Sequence, residues 1–265
     1  MEVHAHTYTP RKKWTHYFWE FLMLFLAVTL GFLVENQREH YIENVRVKEF
    51  SRSLVQDLQN DTAAINVQKR SAGTYIALSD SLLNLSKMQL EGHTAAKFSF
   101  YTRFMYWTVP IAWNRATFEQ IKNSGSLRYF KNPQLLKKLM TYDVLVNAIN
   151  SEFKDHQTRG NILLTLINEV IDPEYHHELS KHFIWQLDTM SNVTKENIFP
   201  AKTESLENKR EKIKEMLNMI VVQQRNLRRN GNEPWLNAGM LAVELINDLQ
   251  KEYHLSANRR TPLEK

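Results

Sequence analysis

Residues 21–34 carry no charged side chain, and this apolar run ends abruptly at Glu35. As a helix it spans ~21 Å, short of a bilayer core of about 30 Å. Adding Tyr17, Phe18 and Trp19 lengthens it to about 27 Å and takes in Glu20. Beyond the run the pattern changes. Val47, Phe50, Leu54, Leu58, Thr62 and Ile65 recur at three- and four-residue spacing, which is one face of a helix. The spacing predicts a first helix over 14–70 that Gly73 breaks, and a second over 75–90 ending near Gly92.

Further along, Thr117 and Gln120 fit a capping box and Gly125 the matching stop, which predicts a short helix over 118–124. Asn132-Pro133 opens another. Its buried face is Leu139, Tyr142, Val146, Ile149 and Phe153, and it continues past Gly160 to Ile171, where Pro173 stops it. A fragment over 174–190 follows. Leu206, Ile213, Leu217, Ile220 and Leu227 define a long helix ending near Gly231. Pro234 opens the last, with Trp235, Ala238, Ala242, Leu245, Leu249 and Tyr253 on one face. The expected class is all-α: a transmembrane helix running on into a long helix, then an extended helical bundle. The expected divisions are a tail at 1–16, a span at 17–35, a bundle at 36–255 and a polar tail at 256–265.

The apolar run has three readings: an uncleaved anchor, an export signal, or a buried helix of a soluble protein. Small residues Ala27, Thr29 and Gly31 imitate a cleavage site, but no Gly or Pro occurs from Phe32 to Ala72. Export signals end in extended chain, so continued helix favours the anchor. Trp19, Glu20, Phe21, Leu24, Val28 and Phe32 are its expected lipid-facing and headgroup residues, with Tyr17 and Trp19 as belt aromatics. Ala27 and Gly31, four apart, form the small-xxx-small arrangement through which spans self-associate. Arg11, Lys12 and Lys13 precede the span. Four basic residues that follow it are offset by Glu35, Glu39, Glu43 and Glu49. The charge difference places the N-terminus in the cytoplasm and the bundle in the periplasm.

The opening "EFLMLFLAVTLGF", with its "EN" and "REH" continuations, runs into "KEF" and "SLVQDLQNDT". It resembles an uncharacterised family of Gram-negative single-span membrane proteins. "TFEQIKNSGSLRYFKNPQL" resembles a second block of that family. The resemblance implies an N-terminal anchor, a helical extracytoplasmic domain and a Gram-negative envelope address. It implies no activity.

Composition narrows the function. Seven Gly and seven Pro in 265 residues favour helices over turns. The absence of Cys excludes disulfides, thiol nucleophiles and Cys metal sites. The 34 basic and 29 acidic residues are interspersed, with no basic stripe of the nucleic-acid type. His177-Glu178 and His182 come near the zinc-protease pattern. Their five-residue separation puts the two histidines about 140° apart on a helix, so no metal site is expected. Residues 97–118 hold eight aromatics, and Phe104, Trp107 and Trp113 are the candidate contacts for a ligand or partner. Arg225, Arg228 and Arg229 suit the last turn of a helix. No phosphate loop, nucleophile elbow or kinase signature occurs.

The expected function is a non-enzymatic membrane-anchored scaffold of the cell envelope, without cofactor. Its partners are the lipid bilayer, further copies of itself and an envelope protein, and not nucleic acid. The alternative is an extracytoplasmic ligand-binding domain using the 98–118 aromatics.

Overall fold

The computed structural model describes residues 13–106, 109–171 and 204–255, together with His177, Thr189, Ser191 and Val193. These described residues are helical with no strand, as the pattern predicts. The helices are α1 (Trp14–Leu85), α2 (Gly92–Thr102), α3 (Ala116–Asn123), α4 (Pro133–Val170), α5 (Arg210–Asn232) and α6 (Pro234–Glu252). Short 3-10 turns occupy Ser126–Tyr129 and Glu207–Lys209. The chain divides into two compact units, Met1–Phe50 and Ser51–Lys265.

In the first unit the side chains of residues 17–34 lie almost entirely exposed; Phe32 reaches 77%. An 18-residue window of α1 has a mean hydropathy of 2.0 and none of it is buried. By length and composition α1 is able to cross a membrane, and it is the one such helix among the described residues.

The second unit is organised by α4. Asn132 caps it, its side chain accepting from the backbone N–H groups of Gln134 (3.0 Å) and Leu135 (3.2 Å), with Pro133 at the first helical position. Leu139, Tyr142, Val146 and Ile149 are buried as predicted, and the buried stripe continues through Leu163 and Ile167. Polar pairs fix the register against the helices that follow. Lys138 Nζ meets Glu244 (3.0 Å) and Asp248 (2.6 Å) of α6; Glu152 pairs with Arg229, and Glu169 with Lys212 (2.6 Å), both of α5. Partner numbers fall as α4 numbers rise, through both α6 and α5. The pair α5–α6 is thus one antiparallel helical run beside α4, interrupted at Glu233. Pro234 causes the interruption, since it has no N–H for the carbonyl of Asn230 and its ring crowds the turn before it.

The C-terminal part of α1 completes the bundle. Gln224 Nε2 donates to Asp80 (2.7 Å) and to the carbonyl of Ile76 (3.2 Å), and Arg228 pairs with Asp80 (3.3 Å). At one end Arg210 donates to the carbonyls of Ser86 and Met88 just past α1, while Lys209 Nζ caps the carbonyl of Val170 (3.0 Å). Leu54, Leu58, Ile65, Leu78 and Leu82 of α1, Ile213, Ile220 and Leu227 of α5, and Trp235, Ala238, Ala242, Leu245 and Leu249 of α6 are buried.

Three expectations need correction. Gly73 does not end α1, which continues to Leu85. A helical glycine costs ~1 kcal/mol, less than the burial of Ala72, Tyr75, Leu78 and Leu82 on its flanks returns. Thr117 is not a cap: α3 begins at Ala116, after Arg115, with no side-chain cap bond. Phe100, Phe104, Trp107 and Ile111 keep a three/four spacing up to Pro110, which predicts a helix there; α2 instead stops at Thr102, and Phe104 and Met105 lie in turns. The Gly125 stop is observed, at φ +69°. The predicted 174–190 fragment and Pro173 lie outside the described residues, apart from His177 and Thr189.

Residues 103–106 and 109–115 lie as a strap across the bundle, and α4 makes room for it at Gly160. A Cβ at this position would stand 2.6 Å from the backbone oxygen of Tyr106, which cannot rotate away. Gly73, by contrast, has nothing within 4 Å of a Cβ. Gly160→Ala should therefore destabilise the protein by about 1–2 kcal/mol, overpacking outweighing helix propensity. Gly73→Ala should stabilise it by ~0.5–1 kcal/mol. Opposite shifts of the thermal midpoint of the full chain check the pair.

Candidate functional site

The residues expected to form the anchor lie on the apolar part of α1. Trp19, Phe21, Leu24, Val28 and Phe32 are all exposed. Ala27 and Gly31 are also exposed, and a Cβ on Gly31 meets nothing within 4 Å. The glycine therefore answers no steric need within the chain. Glu20 pairs with His16 at 3.1 Å, one turn toward the N-terminus, and both are about half exposed.

The aromatic candidates do not form one surface. Phe104 is buried and packs edge-on against Phe100, centroids 5.4 Å apart. Trp113 is half-buried; its Nε1 donates to Asn150 Oδ1 of α4 (3.0 Å), and its ring meets Tyr142 edge-on at 6.4 Å. Trp107 lies outside the described residues. Around Trp113 the strap is latched to the bundle by Asp61 of α1, which pattern reading passed over. The Asn114 backbone N–H donates to Asp61 Oδ1 (2.7 Å) and the Tyr142 hydroxyl donates to Oδ2 (2.8 Å). Arg115 beside it pairs with Asp143 and stacks over the Phe118 ring at 5.0 Å. Burial pushes the Asp61 carboxyl above its usual range despite three hydrogen bonds and the nearby Arg115 that favour the carboxylate.

A second feature missed in the sequence is on α6. Opposite its core face, Leu236, Met240 and Val243 form a second apolar stripe, with Met240 exposed at 63%. Two shallow grooves flank this ridge. One, of about 640 Å³, runs between α1 and α6 beside Thr62 and Lys69; the other, of about 540 Å³, runs between α4 and α6 beside Val144 and Ala148. The i, i+4, i+7 spacing of the ridge was the available signal. It was masked by the stronger stripe on the other side.

The third feature is a buried polar chain between α4 and α5. His156 is 4% exposed. The Asn230 amide satisfies both its neighbours in one orientation: its oxygen accepts from His156 Nε2 (3.0 Å) and its nitrogen donates to both carboxylate oxygens of Glu152 (3.2 and 3.3 Å). Glu152 in turn pairs with Arg229. Arg159 Nε donates to Gln223 Oε1 at 3.4 Å. Burial holds the imidazole below its usual range, aided by Arg159 and Arg229 and opposed by Gln223 and Glu152. Of the arginines expected at the helix end, Arg228 and Arg229 instead bridge α5 to α1 and α4.

His177 is exposed and helical, while Glu178 and His182 lie outside the described residues. Among the described residues no three His, Asp or Glu side chains are grouped to hold a metal ion.

The lowered His156 pKa fixes the sign of a pH dependence. The unfolded chain takes up a proton near pH 6.5 that the folded chain refuses until lower pH. The contribution of His156 to stability is complete above pH 6.5 and is lost as pH falls from there to the folded pKa. Asp61 acts oppositely, adding stability as pH falls through its raised pKa toward 3.8. Unfolding midpoints between pH 7.5 and 5 should fall more steeply for the wild type than for His156→Gln.

No family model, curated protein or solved structure matches the chain.

Proposed function

We propose that the protein is a non-enzymatic, single-span anchor-and-bundle protein of a Gram-negative inner membrane that works by assembly. The observation that carries this reading is the apolar first unit. Residues 17–34 are bare of any covering side chain, and lipid is the solvent that suits them. The resemblance of the first 70 or so residues and the 117–145 block to single-span envelope proteins supports the same address. The charge difference across the span supports a cytoplasmic N-terminus and a periplasmic bundle.

Assembly has two supports. Gly31 needs no space for its own chain, which suits a position where a second helix approaches closely. The Leu236–Met240–Val243 ridge leaves a second apolar face on the bundle for an envelope partner. The ligand-binding alternative has no specific observation in its favour. Phe104 is spent on Phe100, and Trp113 on Asn150 and Tyr142.

Crosslinking in intact membranes tests the reading. The wild type should give a dimer or ladder, and Gly31→Ile should weaken it several-fold while leaving bundle stability unchanged. A wild type that stays monomeric at native expression, or a ladder indifferent to residue 31, contradicts assembly through the span.

A further inference from the structure

One face of α1 stays in register beyond the apolar run. At 3.6 residues per turn, Glu20, Ala27, Gly31, Val34, Tyr41 and Val45 fall within a sector of about 80°. The later part of this sector is uncovered: Val34 is 68% exposed, Tyr41 72% and Val45 40%. Val47, about 160° round the helix from Val45, is buried. The uncovered face is therefore not the one the chain uses for its own packing. Tyr41 and Val45 lie about 10 and 16 Å beyond Val34 along the helix, past the hydrocarbon that suits residues 17–34. Lipid does not cover them.

The charges beside this face point to its occupant. Lys48 lies on one flank of the sector and Glu49 on the other. Two copies anchored by the same span cross the membrane in the same sense, so their first helices run parallel. Where a two-fold axis relates two parallel helices, each flank of one meets the opposite flank of the other. Lys48 of each copy then meets Glu49 of the other, and the pair occurs twice. Charges that flank a seam select partner and orientation in this way in parallel coiled coils. Arg38 also lies in the sector, and its charge is offset by Glu35 at 3.5 Å. Within the apolar run the same sector holds Ala27, Gly31 and Glu20, whose carboxylate pairs with His16. That is the side of the span that lipid suits least.

We propose that a second copy of this chain covers this face. The two α1 helices pack in parallel from the span out to Glu49, with Tyr41 and Val45 in the seam and reciprocal Lys48–Glu49 pairs closing it. The proposal rests on assembly through the span and extends it into the aqueous stretch that follows.

The chain has no cysteine, so one introduced thiol reports alone. The full chain is oxidised mildly in intact membranes, and disulfide-linked dimer is measured for single variants. Tyr41→Cys and Val45→Cys should give several-fold more dimer than Glu39→Cys and His40→Cys, which lie on the far side of the helix. Lys48→Glu added to Val45→Cys should lower the yield several-fold, and adding Glu49→Lys as well should restore it. An unchanged thermal midpoint shows that each variant is folded. Ala27→Cys reads the span separately. Dimer at 27 with equal, low yields at 39, 40, 41 and 45 would overturn this seam and leave assembly through the span standing. No dimer at any position would overturn both. A yield at 45 indifferent to Lys48→Glu, or not restored by the charge swap, would overturn the reciprocal pairing.

Discussion

Apolar helix surface must be covered, and the chain meets that demand in two different ways. In the bundle, α4 covers α5 and α6, and the later part of α1 fills the remaining side. In the first unit nothing covers Phe21, Leu24, Phe25, Val28, Phe32 or Leu33. Burying a side chain of this kind returns ~1.5–3 kcal/mol. Left in water, the six together forgo on the order of 10 kcal/mol, comparable with the whole stability of a typical domain. The proposed membrane anchor and the proposed self-association both answer this one constraint.

The bundle depends on the alignment of one long helix with an interrupted one. Its 38 residues make α4 about 57 Å long, and the Lys138, Glu152 and Glu169 pairs along it are staggered for a single antiparallel partner. Exposed pairs of this sort contribute little stability each, so their main effect is on register. Pro234 divides that partner into α5 and α6, and the polar residues collect at the division. Glu152, His156 and Asn230 lie there. A buried polar chain is costly unless satisfied, so removing one member leaves its neighbour buried without a partner.

Much of the fold was legible because its signals are local. Asn132-Pro133 marks a helix start by capping chemistry, Gly125 marks a stop by its positive φ, and the α4 and α6 core stripes follow a 3.6-residue period. Gly73 misled because propensity is a small term beside burial, and the Thr117 box misled because a capping motif needs the chain to leave the helix there. The candidate site was less legible for a physical reason. The partners of Asp61 are 53 and 81 residues away in the chain, and Asn230, which meets His156 from α5, is 74 away. No spacing rule encodes such pairings. Phe104 and Trp113 stood out by composition, yet the structure uses them in packing and in holding the strap.

The most direct measurement asks what covers residues 17–34 in the cell. Membranes washed with alkaline carbonate should retain the full chain, and mass spectrometry of the retained protein should recover peptides from before residue 17. Release into the wash, or a mature protein beginning near residue 30, would show that this apolar helix is not a membrane anchor.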